Sequence, residues 1–245
     1  MATDRQSLAN YRPSWFWVGL FGIAFGFLEA IVVIYLRELY YPGGFSFPLV
    51  MATPELYLVE LVRELSTLLI LLAVGMLVGK SCIQRFAWFL FAFATWDIFY
   101  YIALKIFLDW PPSLLTWDVL FLIPIVWNAP VLAPVICSLT MIGFSIVVVE
   151  FQRKGFSVRL NRYEWMLMLV GALIIFITFI WDYTAILIRH GFLSGEPITE
   201  DSLLVQQLIQ FVPSHFNWIL FIPGEMLIIA SIVMLWRRIR IRTPG

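Results

Sequence analysis

Glu29, Glu60, Arg63, Glu64, Asp97, Asp182 and Glu225 stand inside stretches that are otherwise almost wholly apolar. An ionisable group at the centre of a bilayer costs about 2.5–3.5 kcal/mol on insertion scales, so such groups mark places where something is paired, hydrated or bound. Deep carboxylates (Glu29, Glu64, Asp97, Asp182, Glu225) outnumber the deep cation Arg63, with Lys105 further out. The surplus must be protonated, hydrated or bound to a cation. Three chemistries fit. The first is a binding site for a cation, a proton or a lipid-like ligand, built from Glu29, Glu60, Arg63, Glu64, Asp97, Tyr101, Lys105, Asp118, Asp182 and Glu225, within a protein that is itself a membrane subunit of a larger complex or a binding protein. The second uses the same carboxylates as the relay of a proton- or cation-coupled small-solute transporter. The third pairs Asp97 with Asp182, one ionised and one protonated, to activate water in an intramembrane hydrolase.

Carboxylates alone suit a hard cation such as Ca²⁺ or Mg²⁺. A softer metal would draw on Asp97, Asp182 and Glu225 together with His215. The chain has 2 histidines, too few for di-haem ligation or a histidine-rich di-iron site. It carries no HExxH, GxSxG or phosphate-loop motif, and the sequence leaves the cofactor unknown, with a metal, quinone or pigment open.

Helical spacing says where these groups point. Gly19, Gly22, Gly26 and Glu29 fall on one seam, and small residues on a seam mark close helix contact, so Glu29 faces protein. Glu60, Arg63, Glu64 and Thr67 share a face by the same rule. Gly171, Ile175, Thr178, Asp182, Ala185 and Arg189 make a comparable stripe. Pro223-Gly224 directly precedes Glu225, and a break there would free backbone carbonyls beside the carboxylate, as in the half-helices that line many transporter sites.

The elements that must position these residues are membrane spans. Hydrophobic residues make up 62% of the 245 and charged ones 13%, about half the charged share of a soluble domain. A span needs about 20 mostly apolar residues. Six segments qualify: 14–37, 57–79, 85–108, 129–151, 165–189 and 216–236. The expected fold is an all-α integral membrane protein, a single domain over 1–245 with six transmembrane helices. The stretch 109–128 is apolar but broken by Pro111, Pro112 and Pro124, and predicts a re-entrant or interfacial segment with a short helix over Leu114 to Ile123, folded against the bundle mouth. Residues 199–212 predict an amphipathic helix on the outer surface.

Orientation follows from the basic residues. Arg5, Arg12, Lys80, Arg85, Arg153, Lys154, Arg159, Arg162, Arg237, Arg238, Arg240 and Arg242 fall on one side, against Arg37, Lys105 and Arg189 on the other. The positive-inside rule therefore places both termini in the cytoplasm of a protein of the inner (plasma) membrane. The charged layer then lies in the outer halves of the spans, and their inner halves offer no polar continuation. The partners implied are the bilayer, with other membrane subunits or a homo-oligomer left open. A net charge of zero gives no reason to expect nucleic acid. Cys82 and Cys137 lie too far apart on this topology for a disulfide.

Trp-Asp occurs three times, at Trp96-Asp97, Trp117-Asp118 and Trp181-Asp182. The segment Trp110 to Trp127, with Trp-Asp between spans three and four, is similar to the haem-handling proteins of cytochrome c maturation. That family carries a dense tryptophan run flanked on both sides by histidines. Here the run is absent, and His190 and His215 both follow the segment, so the chain is not assigned to it.

Overall fold

The computed structural model describes residues 12–50, 53–192 and 203–241. It contains helices α1 (Arg12–Tyr40), α2 (Pro54–Val78), α3 (Cys82–Leu108), α4 (Leu132–Arg153), α5 (Arg162–Ile186), α6 (Leu203–Gln210) and α7 (Trp218–Arg240), with strands β1 (Trp117–Phe121) and β2 (Trp127–Pro130) between α3 and α4. All but α6 are long and apolar enough to cross a membrane. The chain is a multi-pass helical membrane protein, and the helices run a few residues past most of the expected span limits.

Local chemistry starts each helix. Thr53 caps α2 by accepting from the Leu56 amide, with Pro54 at the first helical position where its missing N–H costs nothing. Ser81 caps α3 through the Gln84 amide. Asn161 and Glu164 form a reciprocal capping box on α5. Glu164 is fully buried and is also gripped by Arg238, whose Nε and Nη2 each lie 2.8 Å from its carboxylate, tying the start of α5 to the end of α7.

α3 is the hub, packing against α1, α2 and α4, while α7 bridges α4 to α5. The glycine seam of α1 makes its closest approach there. A Cβ on Gly26 would lie 2.5 Å from the Trp96 carbonyl oxygen, and one on Gly22 would lie 2.8 Å from Cβ of Thr95. Gly171 of α5 meets α7 equally closely, 2.6 Å from the Gly224 carbonyl. The Pro223-Gly224 expectation is corrected by this contact: α7 continues unbroken through Pro223. A proline six residues into a helix removes one interior amide, and Gly224 serves close packing, not a break.

The segment between α3 and α4 also differs from expectation. In place of a short helix over Leu114 to Ile123, β1 and β2 pair antiparallel, with Asp118 opposite Ala129 and Val119 opposite Asn128. Pro111, Pro112, Pro124 and Pro130 all oppose helix, whereas Trp117, Val119, Phe121, Val126 and Trp127 are residues that favour strand. Two strands also satisfy each other's amides, which a bare loop in an apolar setting would not. Of the expected outer helix 199–212, residues 203–210 are helical; 199–202, with Glu200 and Asp201, lie outside the described residues, as does Glu196.

Beyond the polar layer the core is mainly aromatic and aliphatic. Trp88, Phe144, Leu71, Val148 and Leu235 are almost fully buried, with Trp15 tilted against Trp88 and edge-on to Phe91. This aromatic and aliphatic plug fills the end of the bundle that carries Lys80, Arg85, Arg153 and Arg238.

Candidate functional site

At the opposite end, α1, α2, α3, α4 and the hairpin enclose a cavity of about 280 Å³. α1 and α2 flank α3 without packing closely against each other, so their facing sides leave the space open. The apolar seams hold each helix to α3, and the polar faces turn inward between them.

Arg63 sits at the centre of the link between α1 and α2. Its Nη1 pairs with Glu29, and its Nη2 and Nε lie 2.8 and 2.9 Å from Glu60. Thr67 donates to the other oxygen of Glu29 at 3.2 Å. One turn away, Glu64 accepts the Leu122 amide at 2.8 and 3.0 Å, fastening α2 to the hairpin. Asp97 accepts from the Ser138 hydroxyl at 2.8 Å, across the α3–α4 contact. Neither Glu64 nor Asp97 has an ion pair among the described residues.

Arg37, near the end of α1, is buried, and its Nη2 lies 3.1 Å from Asp118 of β1. Its guanidinium lies 4.4 Å from the centre of the Phe45 ring and 3.9 Å from that of Trp110, two rings that meet edge to face. Burial pushes the Asp118 carboxyl up to about 6, with Arg37 and the Val119 amide pulling the other way. Beyond α1, the Tyr41 hydroxyl accepts the Val50 amide at 2.8 Å, and burial raises its pKa. Tyr100 and Tyr101 add hydroxyls to the same wall.

The structure thus brings Glu29, Glu60, Arg63, Glu64, Asp97, Tyr101 and Asp118 to one cavity. Four other candidates stand apart. Lys105 points away from the layer, half exposed, bound to Asp109 at 2.6 Å, where its charge lowers the Asp109 pKa. Asp182 accepts from Asn128 of β2 at 3.1 Å. Glu225 accepts from Thr140 at 2.9 Å, between α4 and α7. His215 is exposed beside Ser214. The proposed aspartate pair is therefore not assembled: Asp97 and Asp182 have separate partners, and Asp182 is absent from the cavity wall. Nor do Asp97, Asp182, Glu225 and His215 converge, and no cluster of three or more such ligands occurs among the described residues.

Arg37 was missed as a site residue because it follows the last apolar stretch of its span and counts as a loop charge. Its signal was the seam itself, since Glu29, Val33 and Arg37 continue the face of Gly22 and Gly26. With Arg37, the layer holds two guanidiniums rather than one, Arg37 buried and Arg63 partly so.

No family model, curated protein or solved structure matches the chain.

Proposed function

We propose that this protein is a multi-pass protein of the inner membrane, both termini cytoplasmic, whose chamber opens outward and binds the head of an amphiphilic, lipid-like ligand bearing a cation. One observation carries the reading: Glu64 and Asp97 line a largely apolar cavity with no ion pair among the described residues, Glu64 held by backbone amides at the hairpin tip and Asp97 by the Ser138 hydroxyl. Both Arg37 and Arg63 are already engaged by other carboxylates. A ligand cation is the charge this wall is short of, and the aromatic surroundings favour a ligand that is otherwise apolar.

A proton- or cation-coupled transporter would use the same carboxylates. The plug of Trp88, Phe144 and Leu71 argues for a chamber rather than a conduit, because a pathway needs polar groups through the far half of the bundle. The hydrolase reading loses its dyad with the separate placement of Asp97 and Asp182.

Binding of dodecylamine to the purified protein in neutral sugar-detergent micelles, read by tryptophan emission, tests the proposal. Glu64→Gln with Asp97→Asn should weaken binding at least tenfold, because a buried charged hydrogen bond lost from one side costs about 2–5 kcal/mol. Equal binding by the wild type and this double variant would sink it.

A further inference from the structure

We infer that the ligand head is zwitterionic, an ammonium joined to a phosphate or carboxylate, and that its chain lies in the groove between α2 and the hairpin tip. This rests on the amphiphile reading above.

Arg37 supplies the first observation. It is 7% exposed and lines the chamber. Nη2 is spent on Asp118, and the Phe45 and Trp110 rings, themselves edge to face, lie against the guanidinium. Its Nη1 is buried with no hydrogen-bond partner in the structure. Buried guanidinium N–H groups are among the costliest donors to leave empty. Five carboxylates share the chamber with Arg37: Asp118 pairs with it, Glu29 and Glu60 pair with Arg63, and Glu64 and Asp97 have no ion pair among the described residues. An anionic oxygen from a ligand would fill Nη1 with a short charge-assisted bond.

An anion alone would be repelled by a wall with five carboxylates and two guanidiniums. A cation alone would leave Nη1 empty. A head with both charges satisfies Arg37 at one end and the unpaired Glu64 or Asp97 at the other.

The chain has its own place. The chamber, at about 280 Å³, sits at the bottom of the small-molecule range of roughly 300–1,000 Å³, enough for a head and its first few carbons. A second hollow of about 260 Å³ runs between Tyr57, Leu61, Val62 and Leu65 of α2 and Leu122, Ile123 and Pro124 at the hairpin tip. Leu122 lines both spaces, and its amide is the one held by Glu64. The groove is apolar and adjoins the charged chamber at Leu122, which suits an acyl chain attached to the head.

Four probes separate the possibilities in the full-length protein: lauroyl lysophosphatidylethanolamine, dodecylamine, dodecyl phosphate and free phosphoethanolamine, titrated in sugar-detergent micelles. The lysolipid should bind at least tenfold more tightly than each of the others. Arg37→Lys keeps the charge but not the second donor, and should bring the lysolipid down to the level of dodecylamine. Arg37→Gln with Asp118→Asn, an uncharged pair, should do the same with the fold checked by circular dichroism. Leu65→Trp, which fills the groove, should weaken lysolipid and dodecylamine together. If dodecylamine matches the lysolipid while Glu64→Gln still weakens both, the zwitterion is wrong and the cationic-amphiphile reading stands. If free phosphoethanolamine matches the lysolipid, the groove has no role and the ligand is a soluble solute. If dodecyl phosphate binds best, or neither dodecylamine nor the lysolipid binds, both readings fall.

Discussion

Arg63 links α1 to α2 through a single guanidinium that answers two carboxylates, Glu29 and Glu60. Replacing it with Met would leave both acids in a largely buried layer with no counter-charge. Removing one partner of a buried pair costs about 3–5 kcal/mol, whereas replacing the whole set with neutral groups costs far less. Arg63→Met should therefore destabilise the protein by about 3 kcal/mol in reversible unfolding. Adding Glu29→Gln and Glu60→Gln should restore most of that loss, and additive losses would mean that the three do not act as a unit. Asp118 makes a pH prediction at the same scale. Its folded value of about 6 lies above the ~3.9 of a free aspartate, so between those values the folded form holds the extra proton. This group alone makes stability fall as pH rises from about 4 to about 6, and below about 6 its pairing with Arg37 weakens. Infrared difference spectra should show a carboxylic acid C=O band lost on raising the pH through about 6, and Asp118→Asn should abolish that band.

The hairpin is the element that closes the site, because each strand region is fastened to a different helix. Asp118 reaches α1, the Leu122 amide reaches Glu64 of α2, and Asn128 reaches Asp182 of α5. The sequence already indicated a segment lying against the mouth of the bundle, from prolines that forbid a span and a composition too apolar for a solvated loop. Its strand character was also written there, in a short run of aromatic and β-branched residues bounded by prolines, but an apolar setting between two spans biased the reading towards helix. The pairing of Asp182 with Asn128 was not legible, since it depends on where β2 lies in space. The glycine seam of α1 was legible, because a 3.6-residue period fixes which residues share a face whatever the neighbour proves to be. That seam yields an element-scale test. Gly26→Val would force α1 off the Trp96 carbonyl and should lower the melting temperature sharply, with loss of folded yield in detergent. Gly143 of α4 faces open space, so Gly143→Ala should leave melting unchanged or raise it slightly. Equal behaviour of the two variants would mean that the α1–α3 contact is not set by the small residues.

At the scale of the whole molecule, polarity is divided between two ends. The chamber end carries the carboxylate layer, with both of its arginines paired to acids and Nη1 of Arg37 without a partner. The other end has an aromatic and aliphatic core beside the buried Glu164 held by Arg238, and it is basic at its rim, where Lys80 and Lys154 follow α2 and α4, Arg85 lies in the first turn of α3, and Arg153 and Arg238 lie in the last turns of α4 and α7. Basic residues in short loops hold a polytopic protein by that side in the cytoplasm, since moving them across costs more than moving acids. The start of α1 and the end of α7 share this end through the core that joins Val18 with Leu235 and Ile239. The proposed topology therefore puts both termini in one compartment, which the rule predicts to be the cytoplasm. Reporter fusions after Lys80, Lys154 and Arg242 should accordingly be active as cytoplasmic reporters, and fusions near Tyr41 and Gly195 as exterior ones. An odd number of spans would split the termini, and an inverted insertion would exchange every signal and put the chamber mouth in contact with the cytoplasm. The expected pattern instead leaves the hairpin and the groove beside α2 in the outer leaflet, where an amphiphile reaches Arg37 and Glu64 by lateral diffusion and meets the plug of Trp88 and Phe144 before it can pass through.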